Sequence, residues 1–161
     1  MKKKYLFFLP FILIFFTSAC TGYKPIFNSS SLMIEIKDHK INGNKKLGER
    51  MYQKLSNLLK SKNKEGKKNI DLFIDISTNK ESSAKDKSGK ILEYRITLNT
   101  YIKVKNYDTE NLIFDKNFSN SLSYKTQSEY SQSISSEDKI VDDLIEQTYQ
   151  EFLITLIQNI N

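Results

Sequence analysis

The strongest constraint on the fold is a long alternation of apolar and polar side chains between residues 92 and 104. The apolar positions are spaced mostly two residues apart: Leu92, Tyr94, Ile96, Leu98, Ile102 and Val104. Successive side chains of a strand point to opposite faces, so this spacing predicts a strand with one buried and one polar face. Such a strand needs neighbouring strands and a covering layer to be stable.

Three further segments show the same alternation and complete a predicted four-stranded sheet. They cover residues 32–37, 70–77 and 112–124. The intervening segments carry turn residues. Asn42-Gly43-Asn44 is predicted to end the first strand, Thr78–Lys90 to be a polar turn region with Ser88-Gly89, and Asn106–Asn111 to be a hairpin loop.

Two other segments have helical spacing. Residues 47–59 place leucines and Met51 on one face and polar residues elsewhere, which is typical of an amphipathic helix. Ser121–Ser136 is predicted to be a loop, and Ser135-Ser136-Glu137-Asp138 to start a closing helix, with a hydroxyl N-cap followed by acids. The apolar stripe of that helix is Ile140, Val141, Leu144, Ile145, Thr148, Phe152, Leu156 and Ile160.

The resulting order, β-α-β-β-β-α, predicts an α+β fold. We expect a two-layer sandwich of about four mostly antiparallel strands with two helices packed on one face. The chain of 161 residues is long enough for one ordinary domain. A single cysteine and a single histidine exclude a disulfide framework and a multi-histidine metal site, so no metal or cofactor is expected.

The N-terminus has the layout of a secretory signal. Lys2, Lys3 and Lys4 precede an apolar run over residues 5–16, which is shorter than the roughly 20 residues of a membrane-spanning helix. Thr17-Ser18-Ala19 then lead into Cys20, as in a bacterial lipobox, although Leu is usual where Thr17 stands. The alternative is an ordinary secretory signal that happens to end at a cysteine.

The lipobox interpretation divides the chain into three parts. Residues 1–19 are a signal peptide, residues 20–31 a tether lipidated at Cys20, and residues 32–161 a single periplasmic domain. The net charge of +6 falls to +3 once three lysines are removed, because 22 basic residues then face 19 acidic ones. Two or three acyl chains hold a protein on a membrane, whereas one binds only marginally. By resemblance to enterobacterial sorting, Thr21 after the cysteine indicates the outer membrane.

Few residues are suited to catalysis. His39, the only histidine, lies in the polar sequence Asp38-His39-Lys40 and is predicted to be a solvated turn residue rather than a base. Asp71 and Asp75 share one strand face, a common arrangement on exposed strands. No phosphate loop, nucleophile elbow or HExxH motif is present. The chain is therefore predicted not to be an enzyme.

Two features remain open to a binding role. Lysines cluster at residues 60–68 and 80–90, either as solvated charge or as contacts for an anionic ligand such as phosphorylated lipopolysaccharide. Nucleic acid is not expected as a partner, because no stacking aromatics are interleaved with these lysines. Phe73 and Tyr101 fall on the polar sheet face, either as scattered surface aromatics or as a patch that meets a partner.

Two segments together resemble the LPS-assembly lipoprotein family LptE. Cys20-Thr21-Gly22-Tyr23-Lys24-Pro25-Ile26-Phe27 is similar to the opening of the mature family members, with Thr21 as an insertion. Ser88-Gly89-Lys90-Ile91-Leu92-Glu93-Tyr94 resembles the family segment that enters a long central strand. Residues 136–157 are similar to its closing helix, and the order of elements agrees along the mature chain.

The resemblance implies a non-enzymatic outer-membrane lipoprotein. Such a protein plugs the barrel of LptD and assists insertion of lipopolysaccharide into the outer leaflet. A basic lipopolysaccharide contact of the family corresponds to Lys87, with Lys85 and Lys90 in support. A second family contact precedes the last helix, where residues 128–136 contain no Lys or Arg and Lys125 is the nearest basic residue.

Two other function classes stay open at this level. One is a different envelope binding lipoprotein, such as an accessory subunit of a lipid transporter. The other is an envelope hydrolase, which would have to use His39.

Overall fold

The computed structural model describes residues 33–59 and 67–160. Its elements are β1 (Ile34–Gly43), α1 (Lys45–Leu59), β2 (Lys68–Lys85), β3 (Ile91–Asn106), β4 (Leu112–Lys125) and α2 (Tyr130–Ile160). The α+β class and the predicted order are confirmed.

The four strands form one sheet in the order β1-β2-β3-β4. β1 runs parallel to β2, while the β2–β3 and β3–β4 pairs are antiparallel. A parallel pair needs a crossover connection, and α1 supplies it between β1 and β2. Much of the predicted basic loop at residues 60–68 lies outside the described residues.

Both helices cover the same face of the sheet. α1 packs on β1 and β2, whereas α2 packs mainly on β4. The strand residues of this face that are buried and apolar include Ile34, Ile70, Leu72, Ile74, Ile76, Ile96, Leu98, Ile102, Val104, Phe114 and Phe118. The alternation in the sequence thus separates a helix-covered face from an open face.

The closing helix packs largely as its spacing predicts. Leu144, Phe152 and Leu156 are at most 1% exposed. Ile140 is only half-buried, because the first part of the helix covers the polar end of the sheet rather than the apolar core.

The predicted turn region after β2 is shorter than the sequence indicated. Residues 78–85 continue β2, so the prediction is wrong there. The strand predicted over residues 112–124 is confirmed, and the loop predicted from Ser121 begins only after Lys125. α2 also begins at Tyr130, five residues before the predicted start. In β2 the polar side chains hid the strand, since backbone hydrogen bonds to β3 hold these residues in the sheet without apolar burial.

The predicted polar turn around His39 is also wrong. Residues 38–40 belong to β1, and an irregularity between Ile36 and Asp38 changes which side chains face the helices. His39 remains exposed but stacks on Tyr52 of α1, with ring centroids 3.8 Å apart and an interplanar angle of 7°.

Candidate functional site

A tight, polar turn joins β2 to β3, and we call residues 85–90 the hairpin tip. Asp86 organises it: one carboxylate oxygen accepts hydrogen bonds from the Ser88 amide at 2.8 Å, the Ser88 hydroxyl at 2.6 Å and the Lys90 amide at 3.0 Å. Gly89 adopts a φ of +86°, a conformation that glycine accepts without strain. The hydrogen bond from the Ser88 hydroxyl is the main cause that lowers the pKa of Asp86 below its ordinary value.

The hairpin tip brings together the three lysines that the sequence singled out. Lys85, Lys87 and Lys90 are exposed, and none forms an ion pair within 4 Å in the described part of the chain. β1 ends opposite Ile76, so β2 continues by about 30 Å to Lys85 at roughly 3.3 Å per residue. β4 runs beside β3 as far as Lys125, opposite Glu93, so the lysines stand at the end of a three-stranded arm that extends beyond β1.

A charged and aromatic cluster fixes this arm to the closing helix. The Lys80 ammonium lies 4.5 Å from the ring centroid of Tyr94 and 5.6 Å from that of Tyr124. It also pairs with the Glu137 carboxylate of α2, which accepts a 2.8 Å hydrogen bond from the Tyr124 hydroxyl. Strand and helix are thereby joined beyond the apolar core.

The same contacts shift the ionisation of the cluster. Burial favours neutral Glu137, but hydrogen bonds from Lys80 and Tyr124 outweigh it and lower the pKa of the carboxyl below its ordinary 4.5. Burial also favours neutral Lys80, and its partners Glu137 and Tyr124 outweigh this by raising its pKa to about 12.

The cluster predicts an acid-sensitive contribution to stability. Because the pKa of Glu137 is lowered on folding, the contribution is present above pH 4.5 and is lost as the pH falls through the folded value. Glu137→Gln should lower the free energy of unfolding near pH 7 by on the order of 1 kcal/mol, since the pair is one-third exposed. Denaturant unfolding at several pH values between about pH 3 and pH 7 measures this contribution.

The matched control for this prediction is Asp138→Asn. Asp138 is the exposed neighbour of Glu137 on α2 and forms no ion pair within the described ranges. The Asp138→Asn variant should lose as much unfolding free energy on acidification as the original protein does. If both variants reduce the pH dependence of the unfolding free energy equally, the effect comes from net charge rather than from the cluster.

The open face carries an aromatic groove as well as polar side chains. Phe73 and Tyr101 meet edge to face, with ring centroids 6.0 Å apart and an interplanar angle of 66°. They are neighbours, so the two aromatics form a patch rather than isolated surface rings. The groove of about 390 Å³ beside them is lined by Asp38, Lys40, Asp71, Phe73, Tyr101, Lys103 and Lys105.

Hydroxyl and amide side chains cover the open face of β3 and β4. Thr97 and Ser121 share a 2.8 Å hydrogen bond, and the Ser119 hydroxyl donates to Asn99 at 2.8 Å. These cross-strand pairs make an uncharged polar stretch in the middle of a face that carries charged residues on both sides, among them Arg95 and Lys103. Tyr101 adds a longer hydrogen bond of 3.3 Å to Asp115.

The other sequence candidates do not assemble into a reaction centre. Asp71 and Asp75 both lie on the open face of β2, as predicted, and His39 lies on β1 against Tyr52. Within residues 33–59 and 67–160, no three His, Cys, Asp or Glu side chains are grouped to hold a metal ion. The same residues include no helix that is long and apolar enough to cross a bilayer.

Lys125, the candidate for the second contact, ends β4 opposite Glu93. It therefore lies at the hairpin-tip end of the sheet. The sequence analysis missed the roles of Lys80 and Glu137. The signal was the even-numbered series Ile74, Ile76, Thr78 and Lys80, which continues along the helix-covered face.

Comparison with solved structures places the fold among bacterial lipoproteins. Rare lipoprotein B from Shewanella oneidensis matches with a TM-score of 0.56 and 12% identity, over 75% of this chain and 94% of that one. Lipoprotein B from Nitrosomonas europaea matches with a TM-score of 0.60 and 14% identity, over 82% and 88% of the two chains. A minor lipoprotein from Acinetobacter baumannii matches with a TM-score of 0.51 and 15% identity, over 76% of this chain and 93% of that one.

These similarities establish a shared fold at low sequence identity. No family model matches the sequence, and no curated protein matches it.

Proposed function

We propose that this chain is a non-enzymatic lipoprotein of the outer membrane, anchored through an acylated Cys20 and facing the periplasm. It would occupy an LptD-like β-barrel as a plug and assist lipopolysaccharide assembly. Cys20 lies outside the described residues, so its lipidation rests on the signal-like sequence before it. The fold shared with bacterial lipoproteins supports the same class.

The hairpin tip is the observation on which the proposal rests. The segment that resembles LptE, residues 88–94, forms the second half of the hairpin tip and the start of β3. The hairpin tip presents the ammonium groups of Lys85, Lys87 and Lys90, and in the described part of the chain none of them forms an ion pair within 4 Å. Ammonium groups bind phosphate as point charges, which suits a phosphorylated lipid head.

The open face of the sheet supports the plug proposal. The interiors of large outer-membrane barrels are polar, and a plug needs a surface that remains favourable against such a wall. The hydrogen-bonded pairs Thr97–Ser121 and Asn99–Ser119 provide hydroxyl and amide groups, and charged side chains of both signs on the same face add to its polarity.

Purification from detergent-solubilised outer membranes tests the proposed partner. We expect a 1:1 complex with a large β-barrel protein and a mature N-terminus at an acylated Cys20 in its mass spectrum. Recovery with an inner-membrane transporter would instead support an accessory subunit of a lipid transporter. An unmodified Cys20 or an intact signal segment would contradict the anchor.

The hairpin tip also makes a prediction about lipopolysaccharide binding. Charge reversal at Lys85 and Lys87 together should weaken the affinity of the protein for lipopolysaccharide, and added salt should reduce the difference. Exposed ion pairs contribute on the order of 1 kcal/mol or less each, so the double variant should lose about tenfold. Lipopolysaccharide binding measured at two salt concentrations checks this.

The control is a double charge reversal at Lys45 and Lys46. Both are exposed in the first turn of α1, at the end of β1 and far from the hairpin tip. An equal loss of affinity in the control would mean that overall charge, not the hairpin tip, governs binding.

A further inference from the structure

Over residues 117–124 the outer edge of β4 is open and lacks the usual protection of an edge strand. β4 has 14 residues and pairs only with β3 in the described part of the chain. An unpaired edge offers a row of backbone donors and acceptors to any other strand, and proteins commonly block it with charges, bulges or proline. From Asn117 to Tyr124 this strand contains no charge, no proline and no register shift.

The other free edges of the same sheet are protected. β1 carries Glu35, Lys37, Asp38 and Lys40, and its register shifts between residues 36 and 38. The part of β2 beyond β1 carries Lys80, Glu81 and Lys85 and shifts register twice near residue 84. The edge of β4 is therefore distinctive within this molecule.

We propose that this edge pairs with the β4 strand of a second copy of the chain, antiparallel and about a two-fold axis at Asn120. A two-fold interface must be complementary to itself. In this register Asp115 lies opposite Lys125 of the other copy, and symmetry forms this pair twice. Between these ion pairs Lys116 lies opposite Tyr124, and the other residues that face one another are uncharged, with Ser119 opposite Ser121.

Sedimentation velocity of the full mature chain in detergent, over a concentration series, tests the proposal. We expect a monomer–dimer equilibrium. Asp115→Lys puts like charges opposite each other twice and should raise the dimer dissociation constant about tenfold. Adding Lys125→Asp to that variant restores opposite charges and should return the constant to near its original value.

The control is Asp75→Lys, which makes the same charge change on the open face of β2, away from the edge. It should leave the dimer unchanged, and circular dichroism should show that all variants are folded. A chain that stays monomeric, a dimer insensitive to Asp115→Lys, or a double variant without recovery would each overturn the proposal. The outcome is independent of the proposed function, because that function is tested by the barrel partner.

Discussion

Replacement of Phe152 by alanine is expected to lower the free energy of unfolding by about 3–5 kcal/mol. Phe152 is 1% exposed, and its ring centroid lies 6.0 Å from that of Phe114 and 6.5 Å from that of Phe118. The variant loses apolar burial, leaves a cavity between α2 and β4, and removes both aromatic contacts. Denaturant unfolding followed by circular dichroism measures the change.

The control for Phe152 lies two residues away on the same helix. Ile154 is 47% exposed, so Ile154→Ala should change the free energy of unfolding by about 0.5 kcal/mol or less. Similar losses in the two variants would contradict the packing of α2 on β4. The test is direct because both substitutions alter the same helix at positions facing different sides.

Gly43→Ala should destabilise the protein by about 2–4 kcal/mol, for two separate reasons. Gly43 has a φ of +71°, which is strained for alanine by about 1–2 kcal/mol. An added Cβ would also lie 2.2 Å from the backbone oxygen of Ile76, so β1 or β2 must move. That same oxygen accepts a 2.7 Å hydrogen bond from the amide of Asn44, the residue that caps α1. The midpoint of denaturant unfolding measures the loss.

Gly89→Ala separates strain from crowding. Gly89 has a similar φ of +86°, but an added Cβ there meets nothing within 4 Å. This variant should cost only the conformational strain, about 1–2 kcal/mol. If it destabilises the protein as much as Gly43→Ala does, close packing at the end of β1 contributes nothing.

Local sequence patterns predicted which face of each strand or helix is buried. The alternation at residues 70–76 and 96–104 identified the buried face correctly, because successive side chains of a strand must point to opposite sides. Leu92, which was predicted on the same face, is 44% exposed. The spacing of Leu144, Phe152 and Leu156 identified the buried face of α2 for the same kind of reason. The hairpin-tip lysines were also found from the sequence, since they lie within a few residues of a Gly turn.

Strand length was not predictable from these patterns. The polar end of β2 remains in the sheet because its backbone groups pair with β3, and that pairing does not require apolar side chains. Residues 78–85 contain one apolar side chain, Ala84, and therefore show no alternation that would predict a strand. The length of β2, and with it the position of Lys85, Lys87 and Lys90, is seen only in the pairing of β2 with β3.

The α+β class, the order of the elements and most of the buried positions follow from contacts and periodicities within each segment, so the sequence predicted them. The order of the strands, the parallel pairing of β1 with β2 and the open edge of β4 became visible only once the elements were packed together. The same holds for the contacts of Lys80 with Glu137 and of Phe73 with Tyr101. Partners so distant in the chain leave no local pattern, since their proximity depends on how the strands and helices pack together.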